Sequence, residues 1–229
     1  MSTTENARTT AAGYEAAGYD ADLGARVGVE IEQIKSRYPA GQERSALIPM
    51  LHLVQSIDGY VSPRGIALCA EALGLTRSEV SAVATFYSQF HRHPAGEYHV
   101  GVCTNALCAV MGGDEVWRAV SEHTGLGNDE TSEDGRISLE RVECNAGCDY
   151  APVVMVNWEF FDNQTPASAV ELVSRLERGE DVVPTRGPAT LPTFRENERL
   201  LAGFEDGRAD EGVGAGEASL LGLRIARER

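Results

Sequence analysis

Basic side chains are scarce. The 229-residue chain sets 20 Lys and Arg against 35 Asp and Glu, for a formal net charge of −15. Nucleic-acid binding draws on Lys and Arg to displace counterions from phosphates, so this balance argues against it. It argues equally against a polybasic membrane-surface patch, and it favours docking to a more basic partner. Long apolar runs are missing too. The most apolar stretch, Ala46 to Ile57, is broken by Pro49, His52 and Gln55. It falls short of the roughly 20 apolar residues of a membrane span, so direct membrane insertion is not expected. The first 20 residues have no apolar h-region and mix acids with Arg8, which speaks against a secretory signal or a transit peptide. There is no Walker motif and no Gly-x-Ser-x-Gly. The Gly-rich stretch at Gly212, Gly214 and Gly216 follows no strand pattern, so this chain is expected to bind neither NADH nor FMN by itself. The five cysteines are an odd number, which with the missing signal argues against a disulfide framework.

The chain is 42% hydrophobic, enough to bury a core. Residues 1–22 are small, polar and rich in Gly and Ala, and read as a disordered tail. Residues 23–94 read as a helical subdomain of about four helices. Val27, Ile31, Ile34 and Tyr38 share one helical face that ends at Pro39. A second helix spans Ser45 to Ile57 and closes at Asp58-Gly59. Ser62-Pro63 supplies an N-cap and a proline at the first helical position. Ile66, Cys69 and Leu73 form that helix's apolar side, and Cys69 reads as ordinary core. Thr76-Arg77-Ser78-Glu79 is a capping-box pattern that opens a fourth helix. Phe86, Tyr87 and Phe90 read as packing residues of the subdomain.

Residues 95–180 change character. Strand patterns at 98–102, before Cys144, at 153–156 and at 158–161 alternate with helices after Gly113 and after Thr165-Pro166. The order is that of a compact α/β unit of thioredoxin type. Residues 181–229, rich in Pro, Gly and charge, read as an extended C-terminal tail that orders on a partner.

Four of the cysteines form two tight pairs. Cys103 and Cys108 are spaced C-x4-C, and Cys144 and Cys148 are spaced C-x3-C. Both pairs fall where strands give way to loops, so each loop can bring two thiolates to one iron, and four thiolates suit a [2Fe–2S] cluster. Asn105, Gly112, Gly113 and Gly147 are small residues that let backbone N–H groups approach sulfur. Spacing alone leaves a structural four-cysteine zinc site open, and with it the reading of a zinc-stapled adaptor.

Three blocks add a resemblance: Ala84-Thr85-Phe86-Tyr87-Ser88-Gln89-Phe90, Gly101 to Gly113 around the first pair, and Glu143 to Pro152 around the second. In this order, over roughly residues 25–178, the chain resembles the E-subunit (24 kDa) family of respiratory complex I, the NADH:quinone oxidoreductases. The family more often has Leu-Gly-Ala where this chain has Asn145-Ala146-Gly147. The resemblance implies a thioredoxin-like [2Fe–2S] ferredoxin domain preceded by a small helical bundle. It implies Cys103, Cys108, Cys144 and Cys148 as cluster ligands. It also implies electron exchange with FMN in a flavin-bearing F subunit that binds NADH, and assembly with the other peripheral-arm subunits on the cytoplasmic face of the cell membrane. The equivalent subunits of NAD-linked hydrogenases and formate dehydrogenases are similar over the same residues.

Overall fold

The computed structural model describes residues 18–228, so residues 1–17 of the expected N-terminal tail lie outside it. The contacts divide the described residues into two units, residues 18–94 with 198–204, and residues 95–197 with 205–228.

The first unit is helical. Helix α1 (Ala21–Lys35) starts inside the segment expected to be disordered. The reason is local: Asp20 caps it by accepting from the Leu23 N–H at 2.8 Å, and Tyr19 is buried, its hydroxyl donating to Asp58. A 3-10 turn (Glu43–Ala46) leads into α2 (Leu47–Asp58), which is apolar on nearly every side and therefore central. Ser62 caps α3 (Pro63–Leu73), and the Thr76–Glu79 capping box opens α4 (Arg77–Phe86). Cys69 is fully buried among Val54, Ile66 and Val80 in one apolar cluster, and burial pushes its thiol up to about 12. Phe90 is buried, but Phe86 is 79% exposed and Tyr87 lies at the surface. Two of those three aromatics therefore do not serve the core.

Residues 198–204 complete this unit, although they were expected to be an extended tail. The fully buried Glu198 carboxylate receives Gln55 Nε2 at 2.8 Å and faces His52 Nδ1 at 2.7 Å. Gln55 in turn accepts the His91 N–H and donates to the Gln89 carbonyl. Ala202 is buried in the same core, and Arg37 donates to the carbonyls of Ala202 and Gly203. Hydrophobicity and charge runs miss such a segment, because a buried carboxylate with dedicated partners reads locally as solvated.

The second unit carries a five-stranded sheet: β1 (Tyr98–Cys103), β2 (Glu130–Thr131), β3 (Ile137–Val142), β4 (Val154–Val156) and β5 (Glu159–Phe161). The order is β2-β3-β1-β4-β5. Only β1 and β3 run parallel; the other pairs are antiparallel. Between β1 and β2 come the short α5 (Ala106–Val110) and α6 (Gly113–Thr124), and α7 (Pro166–Glu177) follows β5. Strand alternation sorts the two faces. Val100, Val102, Leu139, Val154 and Val156 pack with Val116, Trp117 and Val120 of α6 and Leu172, Val173 and Leu176 of α7. Cys103, Val142, Val153 and Met155 form a separate small cluster with Cys108.

The C-terminal segment also differs from the expected tail. Residues 184–187 run beside β5: Thr185 donates to the Phe160 carbonyl and Arg186 bridges Phe160. Buried Phe194 begins α8 (Phe194–Leu201), and its N–H bonds the Glu97 carbonyl at 2.8 Å. The buried Asn157 amide donates to the carbonyls of Pro192 and Glu97. Helix α9 (Glu217–Arg227) ends the described chain with Leu221, Leu223 and Ile225 exposed. Among the described residues, no helix is long and apolar enough to cross a membrane.

Replacing Glu198 by Ala strands His52 and Gln55 without their buried acceptor. Removing one member of a buried pair costs about 3 kcal/mol, and urea denaturation should show a loss of that order. A loss below about 1 kcal/mol, the scale of a lone neutral hydrogen bond, would mean that this segment does not hold the helical unit together.

Candidate iron–sulfur site

The site is set by strand direction. Because β1 and β3 are parallel with Cys103 opposite Val142, the chain leaves both strands at the same end of the sheet. Cys103 is the last residue of β1, and Cys144 stands two residues beyond the end of β3. An antiparallel arrangement would have sent the two loops to opposite ends.

The first pair is buried. Cys103 and Cys108 are 2% and 3% exposed, packed with Val142, Val153 and Met155. Gly113 makes this turn possible. A Cβ there would lie 2.6 Å from the Cys103 carbonyl oxygen and 2.9 Å from that of Cys108, closer than real Cβ contacts come. Val153 ties the two cysteines to the sheet. Its carbonyl accepts the Cys103 N–H at 3.1 Å, and its own N–H is directed to the Cys108 thiol.

The second pair is exposed. Cys144 and Cys148 flank a three-residue loop, with their sulfurs 3.6 Å apart. Ala146 holds a positive φ of 56°, a costly conformation for a residue with a side chain. In it the Ala146 N–H points at Cys144 Sγ, 3.4 Å away. Gly147 is packed from behind: a Cβ there would meet Arg186 Nη2, Phe160 and Val153 at 3.0–3.2 Å.

The thiols perturb one another across the pairs. Burial, the neighbouring Cys103 and the charge of Cys148 push Cys108 up to about 11, against the Val153 N–H, which lowers it. Cys148 is raised by its hydrogen bond with Cys144, then by charge from Cys144 and from Cys103. All four sequence-predicted residues are thus brought into one neighbourhood, and a group that takes thiolates there displaces protons that Cys108 and Cys148 hold more firmly than usual.

The residues fit an anionic cluster. Two sulfur pairs come from two loops, backbone N–H groups of Ala146 and Val153 face sulfur, and the buried Asn145 Nδ2 has no hydrogen-bond partner among the described residues. The donors are not those expected from small residues alone. Gly113 serves carbonyl clearance and Gly147 serves packing. Val153 and Arg186 were missed by sequence reading, and no local pattern marks them.

The model of the thioredoxin-like [2Fe–2S] ferredoxin family matches residues 31–177. The chain belongs to that family. The family's cofactor is a [2Fe–2S] cluster. The chain is 56% identical to the E subunit of NADH-quinone oxidoreductase from Mycobacterium tuberculosis over 92% of its own length and 82% of the relative's. It is 36% identical to NADH-quinone oxidoreductase subunit 2 of Thermus thermophilus, over 66% of this chain and 83% of that one. These relatives are named as subunits of an oxidoreductase complex. Among solved structures, a chain of a NAD+-reducing [NiFe]-hydrogenase superposes with a TM-score of 0.52 at 19% identity, over 58% of this chain and 23% of that one. That likeness shows a shared fold.

In the cluster-free ferredoxin chain, an alkylating reagent should modify Cys144 and Cys148 at least about tenfold faster than Cys69, because access and thiolate fraction both disfavour the buried thiol. Peptide mass mapping over a time course reads this directly. Equal rates would show that the second pair is not the open side of the site.

Proposed function

We propose that Cys103, Cys108, Cys144 and Cys148 hold one [2Fe–2S] cluster, and that the chain is the electron-transfer subunit of the NADH-oxidising part of an NADH:quinone oxidoreductase. The observation that carries this reading is the gathering of the four cysteines at one end of the sheet, in a chain so similar to the E subunits of those oxidoreductases. When bound, such a cluster supplies one-electron storage that a flavin handling electron pairs can use.

The chain's own residues supply the rest. Cys103 and Cys108 anchor one side to the sheet core, so that side is fixed and dry. Cys144 and Cys148 lie open, on the side from which a donor can approach. Leu107, Val110 and Met111, in and just after α5 beside the buried pair, are apolar and exposed, as suits a surface that a partner covers. That partner, on this reading, is the flavin-bearing F subunit, which binds NADH and FMN. The other peripheral-arm subunits complete the assembly, which would sit on the cytoplasmic face of the membrane with this chain peripheral to it.

The test is composition and spectroscopy. The isolated chain should contain two irons and two sulfides, with a rhombic EPR signal that appears on reduction. One zinc in a colourless protein would overturn the reading. Cys144→Ser should lose most of the iron or severely weaken its retention, while Cys69→Ser should keep it. Equal iron loss in the two variants would show that the ligands are misassigned.

A further inference from the structure

The second cysteine loop is backed by a charge from far along the chain. Arg186 comes from the segment that runs beside β5, and its guanidinium lies 3.6 Å from the centroid of the Phe160 ring and 5.3 Å from that of Tyr150. Its Nε and Nη2 hold both oxygens of Asp162, at 2.9 and 3.2 Å. Both side chains are largely buried, Arg186 at 14% exposed and Asp162 at 7%. Thr185 fixes the carboxylate from the other side, donating from Oγ1 to Asp162 Oδ2 at 3.0 Å. Of this pair it is the guanidinium that lies against the loop. A Cβ on Gly147, between Cys144 and Cys148, would come within 3.0 Å of Arg186 Nη2.

We propose that Arg186 is a positioning residue whose fixed positive charge, held against Gly147 by Asp162 and Phe160, raises the reduction potential of the group bound by the four cysteines. The inference rests on the cluster assignment made above. Reduction would add one negative charge to the group held by the cysteines, and a nearby cation favours the more negative state. The cation sits in a poorly hydrated position, where screening is weak. Arginine suits the place: its planar fork takes the carboxylate bidentately while its face stacks on an aromatic ring, and it does not lose its proton. Asp162 offsets part of the charge. The potential is therefore set by the difference between the two, which makes it adjustable from either member.

The experiment is an EPR-monitored redox titration of the full-length, cluster-loaded chain and three variants. Arg186→Gln removes the cation and leaves the carboxylate, so the reduced-to-oxidised ratio at fixed potential should fall by about tenfold, equivalent to about 59 mV for one electron. Asp162→Asn should move it the other way. Arg186→Lys keeps the charge but loses the fork and the stacking, and should stay nearer to the wild type than Arg186→Gln does. If Arg186→Gln and Arg186→Lys fall equally, the side chain only supports the loop and the proposal is wrong. Unmoved potentials in Arg186→Gln and Asp162→Asn would also overturn it. Should Arg186→Gln fail to retain iron, Asp162→Asn decides alone: a rise supports the proposal, no rise sinks it. A wild-type chain with no [2Fe–2S] signal would instead defeat the cluster assignment, a different failure with its own readout.

Discussion

Everything at the site depends on β1 and β3 running in the same direction. Parallel neighbours cannot be joined by a tight turn, so the chain must travel out and back between them. That excursion contains α5 and α6, and Cys108 rides on α5. The same register that sets Cys103 opposite Val142 also delivers Cys144 to the neighbouring loop. A slip of β3 by one residue would turn Val142 to the other face while Cys103 kept its own, and would leave the two pairs on opposite sides of the sheet. The long separation of the pairs in sequence is thus a consequence of the strand geometry that brings them together in space.

The two pairs are held by different means. Cys103 and Cys108 belong to a small apolar cluster and are tied to β4 through the backbone of Val153. Their positions follow from sheet formation itself. The loop between Cys144 and Cys148 has no such footing, because it is solvent-facing and carries a strained Ala146. A strained, exposed loop keeps its shape only if its surroundings over-determine it. Those surroundings are Val153 and Phe160 beneath Gly147, with Arg186 beside them.

Much of this could be read from the sequence, and what was missed has a common character. The caps at Ser62 and Thr76, the helix after Thr165-Pro166 and the strand before Cys144 each advertise themselves through neighbours a few residues away. The cysteine pairs were legible for the same reason. Residues beyond 181 were not, because their structure is made by distant partners. Glu198 looks like a solvated acid until His52 and Gln55 are seen around it, and Arg186 looks like a linker charge until Asp162 and Phe160 are. Phe86 failed in the opposite sense: a large aromatic at helical spacing reads as core, yet it lies exposed.

The C-terminal segment gains its order from the same need that the second cysteine loop creates. Tyr150, which ends the 3-10 turn begun at Cys148, receives the Ser219 N–H on its hydroxyl, while the Ser219 hydroxyl bonds Asp149 at 3.2 Å. The Tyr150 carbonyl accepts the Asn163 N–H at 2.8 Å. One short turn is therefore gripped from the β5 side and from α9, each contact weak alone. On the proposed cluster assignment, a loop that leaves two sulfurs open cannot be buried to stabilise it, since burial would close the approach that electron exchange requires. Support has to come from behind and from the rim, and a segment placed late in the chain can supply it without covering the front.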